Sequence, residues 1–188
     1  MQHRIFLAPL RPGMPHAEAH GHWCSHHGRL MLELPHLLGY VQNQPLRKWW
    51  PHLGYLACSE TWFADRSCEA QAYASEWYVN QITPDEHSMF AREAAWSSAI
   101  TSGSLLKDGP REGFRVISFG GDEANLASSL IDGRFEVMQL ARAAPRSQRP
   151  NLISIYCEGE ATAHGFATAL GGLSFVARPV VFVQPPEH

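Results

Sequence analysis

The stretch "HGHWCSHHGRLMLELPHLLGYVQN", His20 to Asn43, decides how the rest of the chain is read. Its first eight residues hold four of the chain's eleven histidines. Residues three or four apart on a helix share a face, so His16, His20, Trp23, His27, Leu30 or Met31, and Leu34 form one stripe. His22, His26, Arg29 and Glu33 form a second stripe, rotated away from the first. The first carries the large apolar groups and is predicted to face a sheet, which turns His20 and His27 inward with Trp23 between them. Pro35 follows the apolar run, and "LLGYVQN" reads as a strand.

Working outward, "HRIFLAPLR" reads as a strand before this helix, and "LGYLACSETWF" as one after it. "DRSCEAQAYASEWYVNQ" gives a second helix, "TPDEHSMFAREA" a further turn or two capped at Thr83, and "AWSSAITSG" a fourth strand. The order is β-α-β-β-α-β, the ferredoxin-like unit. The second half repeats it: strand "GFRVISFGG", helix "DEANLASSLIDG", strands "FEVMQLARAA" and "NLISIYCEG", helix "EATAHGFATALGG", strand "RPVVFVQPP". The expected boundaries are 1–104 and 113–188, with a Gly-, Pro- and charge-bearing linker at 105–112. Each four-stranded sheet has one face covered by its own helices and another in need of a partner. Packing the bare faces together predicts an α+β fold, an intrachain pseudo-dimeric α+β barrel made of tandem ferredoxin-like units.

An apolar share of 45 % over 188 residues is that of a folded globular chain. The net charge of −3 and scattered basic residues give no electrostatic footprint for nucleic acid, and "RSQR", Arg146 to Arg149, reads as a turn. No apolar run approaches the roughly 20 residues of a membrane helix. The start, "MQHRIFLAPLRPG", is broken by Pro9 and Arg11 and does not read as a secretory signal. Cys24, Cys58, Cys68 and Cys157 form no CxxC pair, so reduced thiols in the cytoplasm are expected. Gly120-Gly121 and Gly171-Gly172 belong to no nucleotide loop, and there is no G-x-S-x-G elbow.

The first half resembles the EthD family of dimeric α+β barrel proteins. The carrying residues are His22-Trp23, His27-Gly28, Leu34-Pro35 and "GYVQN", Gly39 to Asn43, followed by "SETWF" and "ASEWY…PDEHSMF". Arg29 stands where that family often has proline, and the second half has no W-x-x-x-H-G, so it reads as a degenerate copy. The resemblance implies cyclase, dehydratase, decarboxylase or isomerase chemistry without a bound cofactor, or a member with no assigned activity.

His27, the histidine shared with the family pattern, is the candidate proton-transfer group, since an imidazole beside a cavity titrates near neutrality. The other reading is a structural histidine tying helix to sheet. Tyr40 is the second catalytic candidate. Gln42, two residues on, shares its strand face and could hold a phenol or carbonyl oxygen. His20, Trp23 and Trp62 complete the expected substrate contacts. His22 and His26 have chelating i, i+4 spacing, but the outward stripe argues for a solvated face and no metal. Asp85 and Glu86 read as helix N-terminal charges.

The leading expectation is a cytoplasmic, cofactor-independent enzyme acting on a hydrophobic aromatic or lactone-like metabolite. A non-catalytic binding or accessory protein, and a haem-binding α+β barrel, are the alternatives. Two such chains pairing into a homodimer is compatible with every one of them.

Overall fold

The computed structural model describes residues 1–126 and 131–186, with the side chain of His52 left aside. Strand β1 is Gln2–Ala8. The first helical run covers 16–32 in three pieces: α1, His16–His22; a π-helical turn, Trp23–His27; and α2, Gly28–Leu32. β2 (Gly39–Pro45), a short turn with α3 (Trp50–Leu53), and β3 (Ala57–Phe63) follow. Helix α4, Arg66–Ala74, begins where the Asp65 carboxylate accepts from the Cys68 amide. A second π-helical turn, Tyr78–Ile82, runs into α5, Thr83–Met89, which carries proline in its first turn. β4, Trp96–Lys107, completes the first β-α-β-β-α-β series.

The second series has β5 (Phe114–Phe119), β6 (Phe135–Leu140), β7 (Asn151–Cys157), α6 (Glu160–Leu170) and β8 (Leu173–Val183). Helix α6 stops at Gly171, whose φ of 64° is the left-handed conformation that glycine adopts without penalty. The expected helix over 122–133 opens as a single 3₁₀ turn, Glu123–Asn125, and residues 127–130 of that expectation lie outside the described residues. β4 also runs longer than "AWSSAITSG" suggests. Leu105 and Lys107, read from sequence as linker, pair with Glu136 and Phe135 of β6.

The strands follow the hydrogen-bonded order β1-β3-β2-β8-β5-β7-β6-β4, which closes as an antiparallel eight-stranded barrel. The tandem ferredoxin-like α+β barrel expected from the sequence is thus the fold. By internal packing, unit 1 comprises 1–44, 54–97 and 180–188, and unit 2 comprises 45–53 and 98–179.

In unit 1, β3 lies between β1 and β2, with Glu60 opposite both Ile5 and Val41. Two apolar clusters brace its helices. Ala19 and Trp23 meet Leu56, Met89 and Phe90, while Met31 and Leu34 meet Tyr40, Phe63, Ala72 and Ile82. In unit 2, β5 lies between β7 and β8, and α6 packs Ala163, Phe166, Ala167 and Leu170 onto Val116, Ile153 and Ile155. No helix among the described residues is long and apolar enough to cross a membrane.

Candidate functional site

Unit 1 holds a cavity of about 390 Å³ between its sheet and its helices, within the range of small-molecule sites. The pleat decides which strand residues reach it. Arg4 and Phe6 of β1, Tyr40 of β2, and Ser59 and Thr61 of β3 line the cavity, whereas their neighbours Ile5, Val41 and Glu60 do not. Trp23, His27 and Met31 come from the first helical run, Glu69 and Tyr73 from α4, and Tyr78, Glu86, Phe90 and Arg92 from the segments beyond.

His27 is 4 % exposed, and its Nδ1 lies 2.8 Å from Asp85 Oδ2. With Asp85 ionised, Nδ1 carries the hydrogen and donates it, so Nε2 presents a lone pair. That nitrogen has no hydrogen-bond partner among the described residues. Phe90 packs edge-on against the ring at 5.8 Å. Burial pushes the Asp85 carboxyl upward, but hydrogen bonds from His27 and His22 outweigh it and hold it below the usual carboxylate range.

The adjacent carboxylate behaves oppositely. Glu86 is 7 % exposed, and burial raises its pKa despite His27 and Arg92 nearby. Tyr78 Oη donates to Glu86 Oε2 at 3.2 Å, and Arg92 Nε lies 3.0 Å from the same oxygen. Asp85 and Glu86 stand in the first turn of α5, as the sequence reading has them, and the structure adds that both are buried and partnered. Their burial follows because α5 turns its first residues under the π-helical turn that carries His27. No second acidic pair nearby advertises this in the sequence; the signal was the pairing of "DE" with "HG" across the fold.

Tyr40 is 1 % exposed, and its hydroxyl accepts from Gln42 Nε2 at 3.0 Å. Burial raises the phenol's pKa above its ordinary value, so it stays protonated and has its own hydrogen to give. Gln42 also donates to the Trp23 carbonyl at 2.9 Å, so it braces Tyr40 from behind the cavity wall. A further charged pair lies at the other polar edge. Arg4 Nε is held by Glu69 Oε1, Arg4 donates to Glu69 Oε2 at 3.3 Å, and it reaches Ser97 Oγ at 3.2 Å.

Of the residues expected to touch substrate, His27, Tyr40 and Trp23 therefore meet at one cavity, with Gln42 behind them. His20 and Trp62 are not among its lining residues. His20 packs edge-on to Trp23 at 5.9 Å and contacts Cys24 Sγ at 3.5 Å. Trp62 stacks on His3 at 4.1 Å, on the sheet face opposite to Ser59 and Thr61. The reason for His20's departure is the π-helical turn, whose wider winding shifts the helix face by one residue. The same turn brings His22 into contact with Asp85 Oδ1, although the α-helical stripe had placed it outward. Burial pushes the Cys24 thiol up to about 12, which makes a thiolate nucleophile there a poor candidate.

Solved structures share the fold at low identity. A "putative monooxygenase" from Lactobacillus acidophilus NCFM matches with 11 % identity and a TM-score of 0.50, over 98 % of this chain and 95 % of that one. An anthrone oxidase-like protein matches with 9 % identity and a TM-score of 0.57, over 96 % and 88 % of the two chains. A "putative monooxygenase" from Fusobacterium nucleatum gives 9 % and 0.51, over 96 % and 92 %. No curated protein matches the sequence. The helix with its His27-Gly28 pair, the Leu34-Pro35 exit and the Asp85-Glu86 turn all fall within residues 11–93, the segment that matches the model of the EthD domain.

Proposed function

We propose that unit 1 is the site of a cofactor-independent enzyme of the lyase or isomerase type. Its substrate is a hydrophobic aromatic or lactone-like metabolite, which it cyclises, dehydrates, decarboxylates or isomerises by moving protons. The observation that carries this reading is His27 on the cavity wall, buried with Asp85 behind it: one ring nitrogen is committed to the carboxylate, and the other has no hydrogen-bond partner among the described residues. Such an imidazole takes a proton through Nε2 and returns it at a second atom, while Asp85 fixes the tautomer and offsets the imidazolium. The opposite shifts of the adjacent carboxylates support the assignment, since hydrogen bonds from His27 and His22 hold Asp85 low while burial pushes Glu86 up.

Tyr40 suits the electrophilic role: its protonated hydroxyl is positioned by Gln42 to donate to a substrate carbonyl or phenol oxygen. Trp23, Phe6 and Phe90 give flat apolar walls for a ring. The setting we favour is the cytoplasm, with a freely diffusing small molecule rather than nucleic acid or membrane as partner.

The test begins with a panel of polycyclic phenols, anthrones and unsaturated lactones, screened by thermal shift because a ligand of the folded state raises its apparent stability. Hits are then incubated with wild-type protein and His27→Gln, and the products weighed by mass spectrometry. We expect a product of unchanged mass, or one that has lost water or carbon dioxide, with turnover down about 10²–10⁴-fold in His27→Gln. Binding with no turnover would favour the carrier reading. A product that has gained oxygen, or full activity in His27→Gln, would overturn the assignment.

A further inference from the structure

Asp85 has a second oxygen, and that oxygen faces a different pair of imidazoles. His22 Nε2 contacts Asp85 Oδ1 directly, and His26 Nε2 lies 3.7 Å from the same atom. The three ligand atoms all lie within 4.8 Å of one another, and the two rings are 4.9 Å apart. We propose that His22, His26 and Asp85 form a binding site for one divalent transition-metal ion on the outer side of the π-helical turn.

The donor set argues for this chemistry. Two imidazoles one helical turn apart, joined by a carboxylate from another helix, match the N/O preference of zinc, nickel, copper or ferrous iron. Magnesium and calcium prefer all-oxygen shells and fit poorly. Sulfur is not involved, because Cys24 is turned to His20. Ligands in such sites sit at roughly 2.0–2.2 Å from the ion, so His22 has to swing off the carboxylate to admit it. The ring has room to do so, since the His22 side chain is 34 % exposed and that of His26 is 58 % exposed. Their open side leaves coordination positions for water.

The carboxylate is already oriented as a metal ligand needs to be. His27 Nδ1 occupies Oδ2, which leaves Oδ1 turned to the two outer rings. The Ser88 hydroxyl donates to the Asp85 carbonyl at 2.6 Å and steadies the first turn of α5. The inference does not depend on the cavity being catalytic. The metal sits on one oxygen of Asp85 and the proposed proton-transfer imidazole on the other.

The experiment uses tag-free full-length protein, stripped with chelator and titrated with cobalt(II) while visible absorbance is followed, then with zinc by calorimetry. We expect one ion per chain in the wild type. His26→Ala and His22→Ala should each weaken binding by about tenfold or more. His87→Ala, an exposed histidine on the same helix as Asp85, should bind as the wild type does. Absence of a saturable site in the wild type would overturn the proposal, and so would binding that survives both His22→Ala and His26→Ala. The readout is metal occupancy, so its failure is separable from failure of the cavity assignment, which is read by product and turnover.

Discussion

The central strands of the two units share a pleat and differ in chemistry. β3 of unit 1 and β7 of unit 2 are each buried along their whole length. In unit 2, Ile153, Ile155 and Cys157 of β7 join Ala163, Phe166, Ala167 and Leu170 of α6 in one apolar cluster. In unit 1, Ser59 and Thr61 of β3 face a cavity that also meets Glu69, Glu86, Arg4 and His27. Branched aliphatic side chains fill the space beneath a helix and exclude water. Small polar ones leave room and require every buried charge to find a partner. Two halves with one architecture thus differ beneath their central strands: β7 packs against an apolar cluster, while β3 borders a polar-lined cavity.

The sharpest way to break that contrast is to hollow out unit 2. Phe135, 1 % exposed in its core, is expected to cost about 3–5 kcal/mol when changed to alanine. Urea unfolding with an unchanged slope would register this as a shifted midpoint. A loss under about 1 kcal/mol would show that the apolar cluster is not where stability resides.

A smaller effect is expected where unit 1 carries charge. Arg4→Leu strands the Glu69 carboxylate, which is 5 % exposed, and should cost about 1–3 kcal/mol. Adding Glu69→Leu should restore most of the loss, because the pair as a whole contributes little once both desolvation costs are counted. If the double variant is worse than the single one, the pair stabilises the fold and is not simply part of the site.

The gentlest change moves unit 1 toward its neighbour's chemistry. Ser59→Val places methyl groups in the cavity and should add about 1 kcal/mol of stability. It should also shrink the thermal shift produced by cavity ligands. A variant that gains stability while keeping its ligand response would separate Ser59 from the binding space.

Much of this arrangement was legible in the residues. The order of elements followed from apolar spacing and turn residues, and His27, Trp23 and Tyr40 from one motif-bearing segment. What escaped was the π-helical winding at Trp23–His27 and Tyr78–Ile82. Stripes drawn at 3.6 residues per turn set His22 and His27, five positions apart, on different faces. The wider turn lets both reach Asp85, which is why His20 drops out and His22 comes in. The burial of Asp85 and Glu86 escaped for a second reason. Acidic residues opening a helix satisfy its dipole so well that nothing local signals burial.

Gly28 bears on how far this site could be moved to another chain. A Cβ there would lie 2.4 Å from the ring tip of Phe182, and that same ring sits 5.5 Å from Tyr40. A residue near the far end of the sequence is thereby fitted against the signature helix and one of the candidate catalytic groups. The family-matching segment is therefore not a portable cassette: excised at its own borders, it would leave behind the aromatic wedge that its glycine exists to accommodate.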